Sequence, residues 1–147
     1  MLPLINPGEQ VAVRLTDPHR LKRGDLFAFE TGENITVHRF VNKKFDGLWW
    51  FCEVGDNAAD WGWVQEGRVL GMVLSVRGPD RFLDMESRPW VWINSIFGFA
   101  ISLSVALCEN LGRSGSRPSW QQGARVLHRA VKKLLRKTIH EVTRRSM

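Results

Sequence analysis

The sequence predicts a mainly β protein of the α+β class, in which a compact antiparallel sheet or partly closed barrel precedes two C-terminal helices. Short apolar or alternating runs separated by turn residues occupy the first half of the chain, as in small antiparallel sheets and barrels. One long apolar run and one basic segment with helical periodicity follow them. With 147 residues, the chain is long enough for one domain with its own core.

Five strands are predicted before residue 77. Residues 10–15 alternate around Val11 and Val13, and turn pairs such as Gly24-Asp25 and Asp46-Gly47 separate the runs. The other predicted strands are 26–30, 35–41, 48–54 and 68–76, and Gly78-Pro79-Asp80 ends the predicted sheet.

Two helices are predicted after the sheet. Residues 91–107 are apolar, but a helix of this length spans about 25 Å, less than the roughly 30 Å of a hydrocarbon core. Insertion in a membrane and packing on the domain or at an interface both remain open. Residues 120–142 carry apolar side chains at steps of three and four, which predicts a basic amphipathic helix. The predicted organisation is therefore a β domain (1–86), an apolar helix (89–108), a linker (109–118) and a basic helix and tail (119–147).

The positive charge of the chain lies in its last quarter. Residues 108–147 have 10 basic and 2 acidic side chains, a net charge of +8, whereas the whole chain has +6. Such a tail fits an anionic membrane surface or a solvated charged helix face, while no signature of a nucleic-acid-binding fold accompanies it. If residues 91–107 insert, this excess predicts a membrane-associated protein with a cytoplasmic tail; otherwise we expect a cytoplasmic protein. No Gly-rich phosphate loop or metal-ligand cluster is found, so no cofactor and no metal are expected.

Four short boxes in the β region resemble those of the signal peptidase I and LexA-type serine peptidase superfamily. Met1-Leu2-Pro3 resembles the Met-x-Pro part of its Ser-Met-x-Pro box, and Gly24-Asp25-Leu26-Phe27-Ala28-Phe29 resembles its Gly-Asp-Ile-Val-x-Phe box. Val37-His38-Arg39-Phe40-Val41 and the segment from Gly55 to Asp60 are most similar to the endoplasmic-reticulum-type branch, in which histidine replaces the lysine base. The resemblance covers residues 1–76.

The resemblance implies a signal-peptidase-like serine endopeptidase, a hydrolase for proteolytic processing of signal or leader peptides at a membrane. His38 would be the general base, and Asp56 or Asp60 its acidic partner; the two aspartates remain alternatives. Met1 and Pro3 would contact the peptide substrate. In the matching box, Asp25 is interpreted as a turn cap.

The nucleophilic serine of the family would stand immediately before Met1. We expect either that residues precede Met1 in the native protein and end in this serine, or that the chain is a pseudo-enzyme. In the second case it would be a non-catalytic peptide-binding or scaffold protein that retains the peptidase fold.

Overall fold

Seven strands, one long helix and two short 3-10 helices (Pro18–Arg20 and Glu66–Arg68) make up the part of the chain that the structure describes. The computed structural model describes residues 5–56, 61–113 and 133, with the backbone alone for 108–113. The strands form one antiparallel sheet in the order β1-β6-β2-β3-β4-β5, and β7 pairs with β6. The elements are β1 (Gln10–Leu15), β2 (Leu26–Thr31), β3 (Asn34–Asp46), β4 (Leu48–Val54), β5 (Gly62–Gln65), β6 (Val69–Arg77), β7 (Phe82–Asp84) and α1 (Arg88–Arg113).

The α+β class is confirmed as a mostly antiparallel sheet followed by a helix. Strands β1 and β4 have the predicted bounds, whereas β3 continues to Asp46. Neither β5 nor β7 was predicted, and β7 lies beyond the expected end of the sheet. Helix α1 continues to Arg113, through the first part of the predicted linker 109–118. The second predicted helix lies outside the described residues, except for Lys133.

A β-bulge in β3 determines which side chains face which side of the sheet. The β3–β4 register runs from Asp46 opposite Leu48 to Asn42 opposite Cys52, and then shifts so that Phe40 lies opposite Glu53. The extra residue is the fully buried Val41. A bulge shifts the alternation of a strand by one residue. In β3, the even-numbered side chains before Val41 therefore lie on the same side of the sheet as the odd-numbered side chains after it.

The two sides of the sheet pack differently. On one side, here called the His38 side, Phe27, Phe29, Phe40 and Phe51 form a cluster. On the other, the α1 side, Val41, Cys52 and Val54 pack against Phe97, Ile101 and Val105 of the helix. The first turns of α1 pack through Trp90 on a third cluster that contains Val73, Val76 and Leu83.

Helix α1 approaches the turn before β2 closely enough to require glycine on both sides. Gly24 has a φ of +100°, and a Cβ on it would overlap the main-chain carbonyl of Asn94. A Cβ on Gly98 would overlap the backbone of Arg23 and Gly24. The helix is therefore fixed to the sheet by backbone contact as well as by side chains.

Candidate active site

His38 lies in the middle of the sheet, on β3, with its side chain on the His38 side. Its Cα partner on β2 is Phe27, and its ring meets the ring of Phe29 edge to face at 5.7 Å between centroids. The side chain keeps 32% of its surface exposed. The strand thus holds the imidazole firmly and still leaves it accessible to a second molecule.

The acidic partner of His38 is Glu53. Its Oε2 lies 2.5 Å from His38 Nδ1, and its side chain is 17% exposed. Glu53 is on β4, directly opposite Phe40, so the bulge in β3 places its carboxylate on the same side of the sheet as His38. The pair is consequently built by two neighbouring strands rather than by a loop.

The Glu53 carboxylate occupies space that a side chain at residue 62 would fill. Gly62 faces Glu53 across the β4–β5 ladder, and a Cβ on it would overlap Glu53 Oε1. The absence of a side chain at residue 62 therefore keeps Glu53 close to the sheet, within reach of the imidazole.

This geometry suits a general base. A carboxylate that accepts a hydrogen bond from Nδ1–H fixes the neutral imidazole in the tautomer whose Nε2 carries the lone pair. Nε2 can then take a proton from a nucleophile, and the carboxylate stabilises the imidazolium that forms.

Asp56 is bound to Arg39 in the structure. Arg39 Nε donates to Asp56 Oδ1 at 3.1 Å and Nη2 donates to Oδ2 at 3.3 Å. Asp60, the alternative partner, lies outside the described residues, as do Met1 and Pro3. The sequence therefore predicted His38 as a site residue but not Glu53, the carboxylate that the structure brings to it.

Arg39 connects the loop after β4 to the helix. Its side chain is fully buried, and its Nη1 donates to the Gly24 carbonyl at 2.6 Å and to Asn94 Oδ1 at 2.8 Å. Its guanidinium also lies over the Phe97 ring at 5.1 Å. Each of these contacts is on the α1 side, so Arg39 supports the strand from the side opposite to His38.

Asp25 closes the turn before β2. Its Oδ2 accepts from the Lys22 N–H at 2.8 Å, while burial raises the pKa of the carboxyl above its usual range. The Asp25 carbonyl accepts from the Phe40 N–H at 2.8 Å. These contacts are those of a turn cap, in agreement with the interpretation from sequence.

A second histidine–carboxylate pair lies on the His38 side. His19 Nε2 lies 2.9 Å from Glu66 Oε1, and its ring meets Trp49 edge to face at 4.9 Å. The sequence had given His19 no partner. Among the described residues, no group of three or more His, Cys, Asp or Glu side chains could hold a metal ion.

Comparison of the chain with protein-family models, with curated proteins and with solved structures finds no match.

Proposed function

We propose that the β domain is a signal-peptidase-like serine endopeptidase in which His38 is the general base and Glu53 orients it. The observation that carries the proposal is the His38 Nδ1–Glu53 contact, because it supplies the orienting carboxylate that a histidine base requires. The contact involves His38, which the resemblance of the Val37-His38-Arg39-Phe40-Val41 box also indicates as the base.

The proposed reaction is acyl transfer by a serine placed immediately before Met1. His38 Nε2 takes the seryl proton as the serine oxygen attacks the scissile carbonyl, and gives that proton to the leaving amine as the C–N bond breaks. Water then hydrolyses the acyl-enzyme through the same base. Glu53 accepts from Nδ1–H throughout.

The spacing of the predicted strands and the helical periodicity of residues 120–142 support a partly closed barrel and a second helix as parts of this proposal. The resemblance adds the contacts of Met1 and Pro3 with substrate, Asp60 as an alternative acidic partner, and an extended signal or leader peptide as the substrate. The apolar run 91–107 and the basic residues after it support association with a membrane.

The first experiment is the N-terminal sequence and intact mass of the protein from its native source. In parallel, the chain is produced with and without an added serine before Met1, and both forms are incubated with a pool of synthetic peptides that contain leader sequences. Mass spectrometry of the products gives the cleavage sites. We expect cleavage by the serine-containing chain and a loss of about 10²–10⁴-fold in His38→Ala.

His19→Ala is the matched control, since it removes the other histidine–carboxylate pair on the same side of the sheet. It should keep cleavage within a few-fold of the parent chain. If His38→Ala cleaves as well as His19→Ala, the proposal is wrong. If folded chains bind peptides but none cleaves them, the peptide-binding scaffold replaces the enzyme.

NMR of His38 tests separately whether Glu53 positions the imidazole. In Glu53→Gln, the amide no longer fixes the imidazole tautomer, so ¹⁵N NMR of His38 should show a changed population of the two neutral tautomers. Gly62→Ala should cause a similar change, because the added Cβ displaces the Glu53 carboxylate. Gly67→Ala, where a Cβ meets nothing within 4 Å, should leave the His38 signals unchanged.

A further inference from the structure

Helix α1 presents an uninterrupted apolar stripe to solvent. Its members are spaced at three or four residues, so they fall on one face of the helix. The members are Trp92 (71% exposed), Ile96 (57%), Phe99 (64%), Leu103 (54%) and Leu107 (42%). A run of large exposed apolar side chains of this length is unusual on a soluble monomer and marks an interaction surface.

The opposite face of α1 is committed to the sheet. Asn94 is held by Arg39, Gly98 lies against the Gly24 turn, and Phe97, Ile101 and Val105 are buried in the cluster with Val41. By length and composition alone, Arg88–Leu107 could cross a membrane, with a mean hydropathy of 1.7, yet 44% of it is buried inside the fold. A helix docked in this way can offer lipid only its exposed face.

The exposed face has no polar group that would oppose burial in lipid. No charged residue occurs between Arg88 and the end of the stripe at Leu107. Ser95, the exposed hydroxyl within this segment, donates to the Val91 carbonyl at 2.8 Å, so its hydrogen bond is made inside the helix.

Basic residues begin this helix and follow it in the sequence. Arg88 is its first residue and is exposed. The following residues, 108–147, carry a net charge of +8. This charge complements anionic lipid headgroups, which attract basic residues next to an apolar surface.

We infer that α1 lies in the plane of an anionic membrane surface, with Trp92, Ile96, Phe99, Leu103 and Leu107 in contact with the acyl chains. The protein then associates with one leaflet and does not span the bilayer. His38 is on the other side of the sheet, so the candidate active site faces away from the lipid. This inference does not depend on the proposed peptidase activity.

The net positive charge favours lipid over a second copy of the chain. Two copies would each bring the +8 of residues 108–147 to the pair, and like charges disfavour association. An anionic surface turns the same charges into a favourable contribution.

The test is co-sedimentation of the full chain with vesicles of phosphatidylcholine alone and of phosphatidylcholine with 30% phosphatidylserine. The stripe variant is Phe99→Glu with Leu103→Glu. The matched control is Leu15→Glu with Ile35→Glu, which makes the same two changes at positions 80% and 67% exposed on the sheet. Circular dichroism and thermal unfolding confirm that both variants are folded.

We expect the parent chain to bind the anionic vesicles at least tenfold more tightly than the neutral ones. The stripe variant should lose at least tenfold in affinity, and the control should stay within twofold to threefold. Sodium carbonate at pH 11 should release the bound protein.

Four results would overturn the inference. The first three are equal binding by the stripe variant and the control, resistance to carbonate as for a spanning helix, and a parent dimer that ignores vesicles and that the stripe variant converts to monomer. The third result would assign the stripe to a second copy of the chain. The fourth is a parent chain that binds no vesicles at all.

Discussion

At the scale of single residues, Arg39 is the side chain on the α1 side that matters most for stability, because its charge is fully buried. A buried guanidinium must be neutralised and hydrogen-bonded, and Arg39 obtains this from Asp56, Gly24 and Asn94. Each partner belongs to a different segment of the chain. Arg39 therefore joins the loop after β4, the turn before β2 and the helix.

Replacing Arg39 should destabilise the fold strongly. Arg39→Leu leaves Asn94 Oδ1 and the Gly24 carbonyl without their donor, and we expect the free energy of unfolding to fall by about 3–5 kcal/mol. Arg14→Leu removes a half-exposed ion pair with Glu86 and should cost less than about 1 kcal/mol. Urea unfolding followed by tryptophan fluorescence measures both. Equal losses in the two variants would contradict this account of Arg39.

The bulge at Val41 explains why the sequence predicted His38 and missed Glu53. In β4, Phe51 and Glu53 point to the same side, and beyond the bulge this side takes Lys43 and Phe45 of β3. Strict alternation from those residues would bring Arg39, rather than His38, to the side of Glu53. An acidic residue inside the apolar run Leu48–Val54 was the available signal. Whether this acidic residue, Glu53, lies on the same side as His38 depends on the extra residue Val41, which the local sequence pattern does not reveal.

At the scale of elements, the sequence predicted the strands with clear alternation or sharp turns. The bounds of β1 and β4 agree with the prediction because turn residues flank both. Strands β5 and β7 have four and three residues, too few to show a period, and they form because a longer strand lies beside them. The apolar run 91–107 predicted a helix, but only the tertiary contacts separate its buried face from its exposed one.

Glu9 fastens the N-terminal segment to the turn before β7. Its carboxylate accepts from Arg81 Nε at 2.6 Å and from Arg81 Nη2 at 2.7 Å, and it also accepts from the Asn6 N–H at 2.7 Å. Hydrogen bonds from Arg81, opposed by burial and supported by Asn6, lower the pKa of Glu9 from 4.5 to about 2.

This attachment should make stability depend on pH in acid. A lowered pKa in the folded state stabilises the protein above the unfolded-state value of 4.5. The contribution is lost as the pH falls from about 4.5 to about 2. At pH 7, we expect Glu9→Gln to cost roughly 1–2 kcal/mol after solvent screening is considered, and this difference from the parent chain should shrink towards pH 2.

Urea unfolding at pH 7, 5, 4, 3 and 2 measures the Glu9 effect, and Arg81→Met provides the thermodynamic cycle. In the Arg81→Met background, Glu9→Gln should cost much less at pH 7, because the main cause of the lowered pKa has been removed. A difference between Glu9→Gln and the parent chain that does not change between pH 5 and pH 2 would contradict this explanation.

At the scale of the whole molecule, α1 is a structural part of the β domain. It contributes Trp90, Phe97, Ile101 and Val105 to two of the three core clusters, and Asn94 to the Arg39 network. The sequence predicted a domain at 1–86 and an apolar helix at 89–108 and left open whether this helix packs on the domain; in the structure, α1 packs on the sheet. Among the residues whose side chains the structure describes, the buried members of the three clusters run from Leu21 to Val105.

A chain that ends at Ser87 should consequently fail to fold cooperatively. It loses four buried apolar side chains, each contributing about 1.5–3 kcal/mol, and it leaves Arg39 without Asn94. The sum is comparable with the entire stability of a small domain, about 5–15 kcal/mol. A chain that ends at Arg113 retains every described cluster and should unfold in one transition, with a urea midpoint close to that of the full chain. Coincident fluorescence and far-ultraviolet circular dichroism curves test this. If the chain ending at Ser87 also unfolds cooperatively at a similar midpoint, α1 is an appendage, and its buried face would then be available to insert fully into a bilayer.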